Sequence, residues 1–101
     1  MIIYNITTLV SWPIHEAWKE WMMTDYLPAL MATSVFTRYQ LVRLMEVNDE
    51  EGPTYALQLY MTDSSQFELY RKDHLEYFQL KERKAWGDFA TSFASLMEVI
   101  N

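Results

Sequence analysis

The stretch Trp12–Ala32, WPIHEAWKEWMMTDYLPALMA, decides how the rest of the chain is read, because it holds three of the four tryptophans and three of the seven methionines. Ile14, Ala17, Trp18, Trp21 and Met22 stand at i, i+3, i+4, i+7 and i+8, the spacing of one buried helical stripe. Pro13 suits the first turn, where its missing N–H removes no bond, so Ser11 or Trp12 is the expected cap. Glu16, Lys19, Glu20 and Met23 take the other side. The pattern fades at Tyr26 and Leu27 before Pro28, with a short continuation through Leu30 and Met31. Such a stripe must lie against something flat and apolar, and the neighbouring segments supply it.

Upstream, Ile2–Val10 is rich in β-branched residues and reads as a strand, with Ile2, Tyr4, Ile6, Thr8 and Val10 on one face and Ile3, Asn5, Thr7 and Leu9 on the other. Downstream, residues Val35–Val47 alternate as a long strand, and Thr54–Thr62 resumes the alternation. Asn48–Pro53 between them is the one real cluster of turn residues, so a hairpin is expected. Asp63, Ser64, Ser65 and Gln66 match a capping box and start a second helix that runs to about Lys84. Phe67, Tyr70, His74 and Phe78 form its inner face. Trp86-Gly87-Asp88 breaks it, and Phe89–Ile100 alternates as a last strand. The order is β-α-β-β-α-β.

With right-handed crossovers, that order gives a four-stranded antiparallel sheet with two helices on one face, an α+β ferredoxin-like domain. Residues 1–101 suffice for one such domain and one core. The helices cover one side of the sheet only, yet every strand carries large apolar or aromatic residues on both faces. Tyr4 opposes Ile3, Tyr39 opposes Phe36, and Phe93 opposes Leu96. An apolar face of that size calls for a partner, and a homodimer through the open sheet face is expected.

Composition excludes several function classes. A chain that is 50% hydrophobic with only two glycines and three prolines is too apolar for disorder. A net charge of −6 and a pI near 4.7 argue against a phosphate-backbone partner, which needs Lys and Arg to displace counterions. RNA-recognition modules share the strand and helix order, but the third strand lacks their basic-Gly-aromatic phrase. The absence of cysteine removes disulfides, thiolate metal sites and thiol nucleophiles. No basic start precedes an apolar run, and the longest such run is far short of a bilayer span, so neither a signal peptide nor membrane insertion is expected and the cytoplasm is the expected location.

The order and spacing of several phrases carry a resemblance over nearly the whole chain. These are Ile14–Met22 (IHEAWKEWM), Tyr26-Leu27-Pro28, Ala32–Thr37 (ATSVFT), His74, and the aromatic-Gly-Asp of Trp86–Asp88. Together they resemble a small bacterial family described as domain of unknown function 4286. That family is similar in fold to the dimeric α/β barrels, which include antibiotic-biosynthesis-type monooxygenases, haem-degrading enzymes and stress-responsive barrel proteins. The resemblance implies a dimeric barrel and brings no activity with it. The chain departs from the family pattern at Ser34, where Gly is usual, at Tyr26, where His is frequent, and at Ala94, where an Arg follows the aromatic of the last strand.

Two histidines are the first candidates for chemistry. His15 shares the flank of the helical stripe with Lys19, Met22 and Tyr26, where a ligand would meet imidazole and phenol together; the alternative is a half-exposed histidine with no role. His74 sits within the apolar face of the second helix with Tyr70. It reads either as a core histidine paired to a carbonyl or a tyrosine hydroxyl, or as a weak catalytic candidate, a general base for a phenolic substrate. Trp86, Gly87 and Asp88 read as a pocket rim or as a plain helix stop. No HExxH or HxH spacing supports a metal, no G-x-S-x-G elbow supports a serine nucleophile, and no cofactor is implied. The Trp and Met stripe would suit a flat apolar ligand or haem, although at helical spacing core is expected. The expected function is a non-catalytic small-ligand-binding or dimerisation module, its ligand small and apolar or aromatic and held near His15, Tyr26, Tyr70, His74 and Trp86. The alternative is a cofactor-free monooxygenase or isomerase with a histidine base.

Overall fold

The computed structural model describes all residues 1–101. Its strands are β1 (Ile2–Val10), β2 (Arg38–Arg43), β3 (Thr54–Met61) and β4 (Ala90–Glu98). They form one antiparallel sheet in the order β2-β3-β1-β4, the ferredoxin-like arrangement expected from the sequence. Tyr4 pairs with Leu59 on one side and Leu96 on the other, and Thr8 with Tyr55 and Ser92, which fixes which residues share a face. The buried face collects Tyr4 and Val10 of β1 and Tyr55, Leu57, Leu59 and Met61 of β3. No helix is long and apolar enough to cross a membrane.

The first helical arm begins with a 3₁₀ turn over Trp12–Ile14, where Pro13 costs no bond. It continues as α1 (His15–Trp21), a π-helical segment (Met22–Tyr26) and α2 (Leu27–Ala32). Two physical reasons converge on that π segment. Pro28 has no N–H to offer and its ring would clash with the carbonyl four residues back, so an α-helix cannot pass through it undisturbed. The buried residues Trp18, Met22, Tyr26 and Leu30 are also four apart, a spacing that drifts by about 40° per step on a 3.6-residue helix. Widening the helix for one turn, with the Leu27 N–H donating to the Met22 carbonyl, takes up part of that drift. The stripe therefore differs from the sequence reading: Ala17 is exposed, while His15, expected at the flank, is buried.

Two other elements also differ. The second strand covers Arg38–Arg43 rather than Val35–Val47, because its partner β3 begins at Thr54, directly after Pro53, which has no N–H to extend the ladder. Ser34 and Glu46 take positive φ and turn the chain at either end. The second helical arm is broken at His74 (φ −133°) into α3 (Ser64–Asp73) and α4 (Leu75–Trp86). Its start is capped much as its sequence implies: Asp63 accepts from the Ser65 and Gln66 N–H groups, while the Gln66 side chain accepts from the Thr62 N–H.

The hairpin loop is pinned to the end of β1. The Val10 N–H donates to the Pro53 carbonyl at 2.9 Å, the Trp12 N–H to the Glu51 carbonyl at 3.1 Å, and the Trp12 indole to the Asp49 carbonyl at 2.8 Å. Gly52 is required there, because a Cβ would stand 1.7 Å from the Val10 carbonyl oxygen. Gly52→Ala is therefore expected to lower the unfolding free energy by about 2 kcal/mol or more, the cost of forcing backbone apart in a packed site. Urea unfolding of the two proteins measures it, and an unchanged midpoint would contradict the close approach.

Candidate functional site

Helical cover stops short of β4. That strand is an edge, hydrogen-bonded only to β1, and Ala90 is its single buried residue. Between it and α4 opens a cavity of about 590 Å³, within the range of small-molecule sites, roughly 300–1,000 Å³. Ile6, Leu75, Phe78 and Ala94 give it an apolar wall; Gln79, Arg83 and Asp88 add polar groups. Gly87, at φ +56°, turns the chain from α4 toward β4 and also lies on the wall.

Three phenols reach this cavity from three elements: Tyr4 from β1, Tyr26 from the π segment and Tyr70 from α3. Ring packing fixes them. Tyr4 lies 5.7 Å from Tyr70 and 4.9 Å from Phe67, and Tyr26 meets Phe78 edge-on at 5.6 Å between ring centres. None of the three hydroxyls bonds to another group of the chain, whereas Tyr55 and Tyr60 do. The only fully enclosed side-chain polar atom without a partner is the Trp86 indole nitrogen, so the three phenol oxygens, though on buried side chains, are open to the cavity. Burial pushes all three phenols above the ordinary tyrosine value, further reinforced for Tyr4 and Tyr26 by the nearby Glu82 carboxylate. They remain neutral hydrogen-bond donors.

Glu82 is the half-buried acidic group of the cavity. It stands on α4, one helical step of four beyond Phe78, and lines both the cavity and a separate void of about 10 Å³. The Ser92 hydroxyl of β4 donates to its carboxylate at 2.6 Å, and Thr8 Oγ1 lies 2.7 Å from the same serine oxygen. With the Ser92 hydrogen directed to Glu82, Thr8 is left to donate to Ser92. Desolvation raises the Glu82 pKa, and the Ser92 hydrogen bond partly offsets it.

Of the five residues expected at a site, Tyr26 and Tyr70 share this cavity and the other three do not line it. His15 is buried elsewhere, its Nε2 2.7 Å from the Tyr55 hydroxyl and its ring under Trp12. Burial, with Lys19 and Arg43 nearby, holds its pKa below the ordinary imidazole value. His74 sits at the α3–α4 break, half-buried, 6.0 Å from the Tyr70 ring and off the cavity wall. Trp86 packs edge-on against Trp21 at 5.6 Å. Sequence reasoning missed Tyr4, Glu82 and Ser92. For Glu82 a signal existed: the face through Phe67, Tyr70, His74 and Phe78 reaches it at the next step of four.

The sequence model of a family described as domain of unknown function (DUF4286) matches residues 1–100. No curated protein matched. Among solved structures, the chain is similar to an EthD (ethyl tert-butyl ether degradation) family protein from Bacillus halodurans C-125, with a TM-score of 0.68 at 14% identity, over 99% of this chain and 100% of that one. At that identity the likeness is one of fold, a dimeric α/β-barrel fold in that protein's family.

The Glu82 shift makes a stability prediction. A carboxyl whose pKa is raised on folding binds its proton more tightly in the native state, so its contribution is fully present below the unfolded value, here 4.5, and is lost as pH rises through the folded value. Glu82→Gln, which cannot ionise, should therefore gain stability relative to the wild type as pH is raised from 4 to 8. Urea unfolding across that range measures the difference, and a constant difference would contradict the raised pKa.

Proposed function

The chain belongs to the DUF4286 family, whose description assigns no activity, and from that premise we propose a homodimeric small-ligand-binding domain whose ligand lies in the cavity between α4 and β4. The observation that carries the reading is the set of three neutral phenol hydroxyls, fixed by ring packing and unpaired within the chain, opening on about 590 Å³ of partly apolar space. Filling that space with core side chains would bury hydroxyls without partners, at roughly 1–3 kcal/mol each. A ligand with an apolar body and one or two oxygens satisfies both walls. The occupant is a small, flat, oxygen-bearing molecule of the aromatic or apolar kind.

The dimer rests on β4. Its outer edge is nine residues of unpaired backbone without proline or lysine, the kind of edge that pairs with another chain unless blunted. On the open face of the sheet, Phe93 and Met97 stand exposed beside the half-buried Ile3, Thr7 and Leu9. That face is less uniformly apolar than its sequence suggests, because Asn5, Gln40, Gln58 and Ser95 form a polar row across its middle. A second copy laid across it covers the apolar flanks and pairs the amides with their own counterparts.

Two measurements test these claims separately. In a titration of 2-naphthol followed by tryptophan fluorescence, the wild type should saturate at one site per chain, and Ala94→Trp, which fills the cavity from an exposed strand position, should weaken binding at least about tenfold, or 1.4 kcal/mol. Equal binding by both would place any site elsewhere. In equilibrium sedimentation at micromolar concentration, the wild type should run as a dimer and Met97→Lys as a monomer. A wild-type monomer would remove the dimer.

A further inference from the structure

Resting on the cavity as a ligand site, we propose that Glu82 is a general base that moves a proton to or from the carbon next to a ketone carbonyl, with the cavity's tyrosine hydroxyls holding the enolate oxygen. The half-buried Glu82 carboxylate and three hydrogen-bond donors that have no other partner line one cavity of small-molecule size. A base beside unpaired neutral donors is what carbon-acid chemistry needs, since charge leaves the carboxylate and appears on the former carbonyl oxygen. No histidine lines the cavity; of its two carboxylates Asp88 is exposed, whereas Glu82 is half-buried and bonded to Ser92, so the base drawn from its walls is Glu82.

Each bond is accounted for within these groups. Glu82 takes the proton, the C–H pair becomes the C=C bond, and the carbonyl π pair moves to oxygen, where a phenol hydroxyl donates to it. Glu82 then returns the proton to carbon or oxygen, completing a keto–enol interconversion with no net oxidation. Ser92 positions the base through its 2.6 Å hydrogen bond and is itself set by Thr8. Tyr4 of β1, Tyr26 of the π segment and Tyr70 of α3 line the same cavity as Glu82. The charged groups nearby are Arg83 and Asp88 on the cavity wall and Lys81, which is held by Asp25 at 2.9 Å. Burial keeps the carboxyl more basic than an exposed glutamate, which suits it to accept a proton from carbon.

The substrate class is a small, flat, apolar ketone with an acidic α-hydrogen. The test uses the full chain, 2-tetralone as substrate and 2-naphthol as a planar analogue of its enol. Exchange of the tetralone C1 hydrogens in D₂O, followed by NMR, should be about 100-fold faster with wild type than with Glu82→Gln, while both bind 2-naphthol. The wild-type rate should rise with pH through the raised Glu82 titration, and Ser92→Ala should move that rise to higher pH. This displacement separates a positioning serine from a merely structural one. If wild type and Glu82→Gln both bind 2-naphthol but exchange at the same rate, the base is refuted and the ligand site stands. If neither binds 2-naphthol, the cavity reading falls and takes this proposal with it.

Discussion

The structure depends on one constraint: β1 is hydrogen-bonded along its whole length on both edges, to β3 on one side and β4 on the other. The helical arms cannot cover four strands equally, and they cover the two that carry the largest apolar residues. Trp18, Leu27, Leu30, Phe67 and Tyr70 pack over β1 and β3, whose inner faces are almost wholly buried. β4 is held by its ladder to β1 and by little else, and the space left between it and α4 is the cavity. The location of the site thus follows from strand order and helix coverage before any side chain is considered.

Within that space the polar groups are held in a particular protonation state by burial. Desolvation disfavours phenolate and carboxylate alike, so the tyrosines stay neutral and Glu82 holds its proton to higher pH than an exposed carboxyl does. Ser92 works against that trend by donating to the carboxylate, which leaves Glu82 responsive to a further charge or hydrogen bond brought in by a ligand. The hydroxyls differ from ordinary core tyrosines in their lack of partners. Tyr55, only a short way along the same sheet face, shows the other outcome, with its hydroxyl bonded to a buried His15.

Much of the fold was legible because burial imposes a period on the sequence. Alternation in Ile2–Val10 and Thr54–Met61 and the spacing of Trp18 and Met22 read correctly, and the order of elements then restricts the topology. What period does not show is where a strand loses its partner, so Val35–Thr37 and Leu44–Val47 read as strand although β3 offers nothing for them to pair with beyond Thr37 and Leu44. Nor does it show where a helix bends: the break at His74 turned a residue of the apparent inner face away from the cavity. Tyr26 and Tyr70 are legible as site residues only through their neighbours, Tyr26 on the flank it shares with His15 and Tyr70 on the face it shares with His74. Tyr4 reads only as one large residue of a strand face, and Glu82 reads as surface because it is a glutamate near the end of a charged helix. A cavity is a mismatch between layers, and no single element's pattern encodes it.

The central claim is that Tyr4, Tyr26 and Tyr70 present their hydroxyls to one ligand space, and ring-labelled tyrosine NMR tests it directly. Of the seven tyrosines, these three are expected to shift together and saturably on addition of 2-naphthol, while Tyr39 and Tyr77, which lie exposed away from the cavity, remain in place. Shifts at Tyr39 or Tyr77 with the three cavity tyrosines unmoved would contradict the account.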